Sequence, residues 1–178
     1  MTAIAPDTLI ARMGANARSA AMALAGLPTA LKSAALRHAA DRLRTERDAI
    51  LAANAADMAQ ADTSGLSSAM LDRLRLDAAR VEGVAAGVEA VAGLSDPVGR
   101  VIDETERPNG LRLSRVRVPI GVIGIVYESR PNVTADAAAL CVMSGNAVIL
   151  RGGSEALESN RAIHAVLANA LGDAGLPR

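Results

Sequence analysis

The spacing of apolar positions divides the chain in two. Through residue 95 the period is helical: Leu36, Ala39, Ala40, Leu43, Ile50, Leu51, Ala55 and Met58 recur near helical spacing. Arg37, Asp41, Arg42, Arg44 and Asp48 take the opposite face, as a solvated side requires. Gly26-Leu-Pro28 and Asp62-Thr-Ser-Gly65 break the pattern. Asp77 is placed to cap a helix running from Ala78 toward Gly93.

The period changes at Asp96-Pro97. Val98 to Glu106 and Leu111 to Val118 read as two strands, with Pro108-Asn-Gly110 as the turn between them. Neither face of this pair is cleanly apolar, which predicts a projecting ribbon or an edge covered by a partner. From Ile120 the pattern is that of a buried parallel sheet, with continuous apolar strands joined by a helix. Pro119 to Val126 is the first strand and Tyr127-Glu-Ser-Arg-Pro-Asn132 a dense polar cluster. Val133 to Ser144 is a helix and Ala147 to Leu150 the next strand, closed by Arg151-Gly-Gly-Ser-Glu155. A last helix runs from about Glu155 to Leu171, stopped by Gly172. Such units place binding groups at the carboxyl ends of their strands. Both polar clusters lie at that edge, so one ligand could touch both. Two parallel strands alone leave open edges and uncovered faces, which predicts that the chain stops in the middle of a domain.

Composition narrows the class. The 178 residues are 51% hydrophobic with mean hydropathy +0.23, which excludes a disordered chain. There is no Phe or Trp and Tyr127 is the one tyrosine, so the core rests on closely packed small aliphatics. The formal net charge is +0 and Lys32 is the single lysine, so neither a basic block nor aromatic platforms point to nucleic acid. No apolar run is long enough to span a membrane, and no signal peptide pattern opens the chain. Cys141 is the only cysteine, which excludes an internal disulfide and fits a cytoplasmic location.

Two clusters carry candidate chemistry. In the first, Arg151 offers a planar cation for a phosphate, and Gly152 and Gly153 allow close backbone approach. N–H groups at the helix start favour an anion, and Glu155 would accept from a ribose hydroxyl. The competing explanation is an ordinary strand-to-helix turn with a surface arginine. In the second, Arg130 would hold a substrate carboxylate or phosphate, and Asn132 would donate its amide to a developing oxyanion. Here the plainer alternative is a polar turn in which Asn132 or Thr134 caps the next helix. Cys141 falls mid-helix among apolar neighbours and reads as a core thiol. His38 and His164 stand isolated, so no metal site is expected.

Pro119-Ile-Gly-Val-Ile-Gly-Ile-Val-Tyr-Glu-Ser-Arg-Pro-Asn-Val-Thr134 and Ser144-Gly-Asn-Ala-Val-Ile-Leu-Arg-Gly-Gly-Ser-Glu-Ala156 closely resemble the gamma-glutamyl phosphate reductase family, within the aldehyde dehydrogenase superfamily. Leu71-Asp-Arg-Leu-Arg-Leu76, Asp96-Pro-Val-Gly99 and Pro108-Asn-Gly-Leu111 resemble it too. The resemblance covers nearly the whole chain and roughly the N-terminal half of such an enzyme. It implies an α/β fold in three parts: residues 1–95 as the N-terminal helical part of the cofactor-binding domain, residues 96–118 as a β-hairpin oligomerisation arm, and residues 119–178 as the first βαβα portion of a Rossmann-like, NADP-binding sheet.

The resemblance also implies an activity: NADPH-dependent reduction of L-glutamyl 5-phosphate to glutamate 5-semialdehyde plus phosphate, in proline biosynthesis, through a cysteine thioester. Val126, Tyr127, Glu128 and Ser129 match the stretch lining the cofactor cleft. Arg151 and Glu155 match the positions near the adenine ribose, where an arginine suits the 2′-phosphate of NADP(H). Asn132 stands for the superfamily's oxyanion asparagine and Arg130 for a substrate contact. The family's catalytic cysteine lies in a second domain and Cys141 does not match it. The chain is therefore expected to be truncated before that cysteine and inactive alone, working as a homo-oligomer or with the missing C-terminal half. Two other readings stay open: a non-catalytic nucleotide-binding or oligomerising fragment that needs a partner chain, and an independent thiol enzyme using Cys141.

Overall fold

The computed structural model describes residues 5–63 and 65–178. Five helices come first: α1 (Pro6–Ala25), α2 (Thr29–Thr45), α3 (Arg47–Thr63), α4 (Ser68–Leu74) and α5 (Ala78–Ala92). An antiparallel ribbon follows, β1 (Val101–Glu106) and β2 (Arg112–Val116). Then come β3 (Val122–Val126), α6 (Asn132–Met143), β4 (Ala147–Arg151), a 3-10 turn (Ser154–Ala156) and α7 (Leu157–Asp173).

The core is where the small aliphatics meet. α2 packs against α5 and α7, and α5 against α6. Leu36, Leu43, Val81, Val88 and Ile163 are fully buried there beside Ala35, Ala39, Ala40 and Ala85. Alanines on α2 let its neighbours approach closely, so tight packing replaces large anchors. The charged face of α2 is solvated as expected and is braced by ion pairs. Arg44 meets Glu82 and Glu89, and Arg42 meets Glu46 and Asp173. Arg44 is held above the ordinary arginine value chiefly by hydrogen bonding to Glu82, which is itself held below the usual carboxylate range by Arg44.

Several local details differ from or sharpen the sequence expectations. The helical pattern from Leu36 to Met58 is two helices with a break at Glu46. On α3 the buried positions include Asn54 and Asp57, while Ala55 is exposed, because polar side chains on that face are fully hydrogen-bonded. The break expected at 62–65 lies partly outside the described residues at Ser64; α3 continues to Thr63 and Gly65 takes φ 71°. Gly172 lies inside α7, and the helix stops at Gly175, with φ 79°. The Gly175 N–H reaches the Gly172 carbonyl and the Leu176 N–H the Leu171 carbonyl, a Schellman closure that seats Leu176 in the core.

Lys32 was not expected inside. It is fully buried, ion-paired with Asp96 at the foot of the ribbon. Asp96 also accepts from the Thr29 hydroxyl at 3.0 Å and the Val98 N–H at 2.9 Å. Burial pushes the Asp96 carboxyl upward, but Lys32, the Val98 N–H and Thr29 outweigh it and hold it below its ordinary value. This knot fastens α2 to the ribbon. Every residue of β1 and β2 is exposed, as the mixed alternation predicts for a projecting pair.

β3 and β4 pair in parallel, Val122 with Ala147 through Val126 with Arg151. Asn146 sets this register: its Oδ1 accepts the Gly121 N–H at 2.8 Å while its amide binds Ser144. Before it, Gly145 (φ 72°) ends α6, and an added Cβ would meet Pro119 Cγ at 3.0 Å. The two strands therefore end together, which brings the polar clusters that follow them to one edge.

Candidate functional site at the carboxyl edge of the parallel strands

The two polar clusters are joined by direct bonds. The Tyr127 N–H donates to the Arg151 carbonyl at 3.1 Å, carrying the parallel pairing one residue past the strands. Buried Ser129 donates its hydroxyl to Glu155 Oε1 at 2.7 Å. Glu155 Oε2 accepts no bond from another described residue. Behind them runs a relay: the Tyr127 hydroxyl lies 2.6 Å from Thr134 Oγ1, and Thr134 donates to Asn160 Oδ1 at 3.0 Å. Thr134 has a single proton and gives it to Asn160, so Tyr127 must be the donor to Thr134.

Side chains crowd both glycines. A Cβ on Gly152 would lie 2.2 Å from Asn160 Nδ2 and 3.1 Å from Tyr127 Cζ. A Cβ on Gly153 would strike the Glu155 carboxylate at 2.1 Å. Close approach does explain both glycines, but the approaching groups shown are the protein's own side chains.

Arg151, Val126 and Glu128 are exposed at the rim. The Arg151 side chain has no hydrogen-bonding or ion-pairing partner among the described residues, so its guanidinium is available. The first amides of α7 are not. Glu158 N–H and Ser159 N–H donate to Asp57 of α3 at 3.1 and 2.7 Å, so an anion here would rest on Arg151 and the preceding turn. The expectation of free helix-start N–H groups is corrected to that extent.

Asn132 and Arg130 lie on the other side of the polar turn. Asn132 is the first residue of α6, not its cap, and its amide donates to Asp136 Oδ2 at 3.0 Å. The cap position belongs to Pro131, without a side-chain bond. Arg130 is exposed and makes no ion pair among the described residues. Both line a groove of about 450 Å³ between the α4–α5 connection and α6, away from Arg151 and Glu155.

Cys141 is buried on α6, and desolvation pushes its thiol above the ordinary value, so it lacks the reactivity of a nucleophile. Among the described residues no three His, Cys, Asp or Glu side chains are grouped to hold a metal ion, and no helix is long and apolar enough to cross a membrane. Asn160, Asp136 and Asp57 are the participants that sequence reading missed. Each sits within a helical pattern where a polar residue passes for a solvated one, and only the meeting of distant segments reveals its partner.

Gamma-glutamyl phosphate reductase of Rhizorhabdus wittichii is 69% identical over 169 residues, 95% of this chain and 39% of its own length. The protein of that name from Zymomonas mobilis is 57% identical over 172 residues, 97% of this chain and 40% of its own length. The chain matches the N-terminal two-fifths of gamma-glutamyl phosphate reductases. The crystal structure of the Thermotoga maritima reductase superposes with a TM-score of 0.91 at 43% identity, covering 94% of this chain and 41% of that one. The Saccharomyces cerevisiae reductase gives 0.86 at 34% identity, covering 98% of this chain and 45% of that one. A putative aldehyde dehydrogenase from Bacillus subtilis shares the fold, with a TM-score of 0.73 at 21% identity, over 99% of this chain and 36% of its own. No family model matches the chain. The reductase relatives thus carry the same α/β arrangement over the part they share with this chain.

Proposed function

We propose that these residues form the cofactor-side part of an NADPH-dependent reductase that converts L-glutamyl 5-phosphate to glutamate 5-semialdehyde and phosphate. The observation that carries this is the 69% identity to a gamma-glutamyl phosphate reductase across 95% of the chain. NADPH would supply the hydride. The residues present fit it: exposed, unpaired Arg151 suits a 2′-phosphate, and the free oxygen of Glu155 suits a ribose hydroxyl. Ser129 holds that carboxylate in place at 2.7 Å. Val126, Tyr127, Glu128, Gly152, Gly153 and Ser154 would form the walls of the cleft, kept in shape by the Tyr127–Thr134–Asn160 relay.

The acyl phosphate would meet a cysteine thiolate, which displaces phosphate to give a thioester. Hydride addition to that carbonyl and loss of the thiolate then release the aldehyde. Buried Cys141 does not fit the nucleophile, so the thiol would come from a further segment or partner chain. Asn132 has a second amide proton beyond the one given to Asp136, and it would stabilise the oxyanion while Arg130 orients the substrate. The exposed ribbon, with Ile102, Leu113 and Val116 open to solvent, would be the oligomerisation arm. A cytoplasmic location suits such an enzyme.

The test is reduction of NADP by glutamate 5-semialdehyde and phosphate, the reverse reaction. The chain alone should show no turnover, and addition of the C-terminal three-fifths of a reductase relative, roughly the complement of the matched part, should restore it. Turnover by the chain alone, abolished in Cys141→Ala, would overturn the assignment of the thiol.

A further inference from the structure

A groove of about 450 Å³ runs between the end of α4, the start of α5 and the first turn of α6. Arg73, Arg75 and Arg80 line one wall, and Arg130, Asn132 and Asp136 the other. Arg80 is committed, donating to the carbonyls of Asp72 and Arg75 and to the Asp72 carboxylate. The guanidiniums of Arg73, Arg75 and Arg130 have no hydrogen-bond or ion-pair partner among the described residues. Asp136 accepts only from Asn132, with one oxygen, and pairs with no cation. Its other oxygen points toward Gly87, where an added Cβ would sit 3.4 Å away.

The arginine wall is built into the core. Asn54, 2% exposed, donates to the Leu74 carbonyl at 2.8 Å and accepts the Leu76 N–H at 2.7 Å. Leu74, between the two arginines, is fully buried. Arg73 and Arg75 therefore project from a clamped turn rather than a loose loop, and clamping lowers the entropy cost of binding.

Unpaired guanidiniums facing an unpaired carboxylate across one groove match a zwitterion. A plain dianion gains from the arginines but is repelled by Asp136, and a plain amine suffers the reverse. We propose that this groove seats the non-reacting α-amino acid end of the substrate, its α-carboxylate on Arg73 or Arg75 and its α-ammonium on Asp136. This rests on the reductase reading above for which end of the substrate reacts. The groove opens beside Arg130 and Asn132, so the far end of a bound amino acid would point toward the proposed oxyanion donor.

The test is calorimetric titration of the purified chain with L-glutamate, glutarate, 4-aminobutyrate and sulfate, with NADPH as a separate titrant. L-glutamate should bind saturably, and glutarate, which lacks the ammonium, and 4-aminobutyrate, which lacks the α-carboxylate, each roughly tenfold or more weaker. Arg73→Gln with Arg75→Gln should weaken L-glutamate by at least about tenfold, since charge-assisted bonds to a carboxylate are lost. Asp136→Asn should bring L-glutamate and glutarate to similar affinity. Gly83→Leu, which fills the groove from exposed α5 without touching a charge, should block L-glutamate as well. All three variants should leave NADPH affinity and melting temperature unchanged. Equal binding of sulfate or glutarate, insensitivity to these substitutions, or no saturable L-glutamate binding would each overturn the proposal. Loss of NADPH binding with L-glutamate binding intact would count against the cofactor reading and leave the groove standing.

Discussion

Asp57→Ala should destabilise the fold by about 3–5 kcal/mol. The carboxylate lies on α3, 3% exposed, and caps a helix that begins a hundred residues later. It accepts the Glu158 N–H at 3.1 Å, the Ser159 N–H at 2.7 Å and the Ser159 hydroxyl at 2.6 Å. A bond to a charged acceptor contributes about 1.5–3 kcal/mol, and buried donors left unmade cost about 1–3 kcal/mol each. An anion at a helix N-terminus adds about 0.3–1 kcal/mol. These effects overlap, which brings the total to about 3–5 kcal/mol rather than their sum. Asp57→Asn keeps one acceptor oxygen for the two Ser159 bonds but sets an amide NH2 against the Glu158 N–H, so it should cost less than Asp57→Ala, about 2–3 kcal/mol. Urea unfolding followed by circular dichroism gives both numbers, with the midpoint shifting and the slope constant. Against a typical stability of about 5–15 kcal/mol, Asp57→Ala is expected to leave a marginal protein. A loss below about 1 kcal/mol, or equal losses for the two variants, would refute the cap between helices as a supporting bond.

Asp96 makes the fold acid-sensitive. Its folded pKa lies below the unfolded value, so its contribution is present above that value and fades as pH falls through the folded one. Stability should therefore drop below about pH 4, and Asp96→Asn, which strands buried Lys32, should cost about 3–5 kcal/mol at neutral pH; an Asp96→Asn protein as stable as wild type would contradict this. Gly83→Ala, in the exposed interior of α5 with open space at its Cβ, should stabilise by about 0.5–1 kcal/mol in the same unfolding assay, whereas a loss would show that the position carries an unseen constraint. Cys141 should resist thiol reagents in the native state and react at the unfolding rate, and rapid labelling of folded protein would contradict its burial.

The site was legible where chemistry is local. Apolar runs bounded by Tyr127–Asn132 and Arg151–Glu155 identify strands ending in polar clusters, and the structure ties these clusters together through Ser129 and Glu155. Asp77 and Gly93 bound α5 as their capping chemistry predicts: the Asp77 side chain accepts the Arg80 N–H and Gly93 is the C-cap. What stayed hidden depends on distant partners. Asn54 and Asp57 look like solvated residues until α7 and the α4–α5 connection come to meet them. Nothing in the sequence marks Lys32 as buried, because its counter-ion Asp96 is 64 positions away. Gly172 and Gly175 both suit a helix stop, and only the docking of Leu176 into the core decides for the second.

The measurement that bears most directly on the central claim is cofactor discrimination by Arg151. Purified chain would be titrated with NADPH and NADH, following nicotinamide fluorescence. Saturable NADPH binding, weakened about tenfold or more in Arg151→Ala while NADH binding is unchanged, is the predicted result, since one phosphate–guanidinium contact is lost. Absence of saturable binding, or equal loss for both nucleotides, would contradict the joined clusters as an NADPH site.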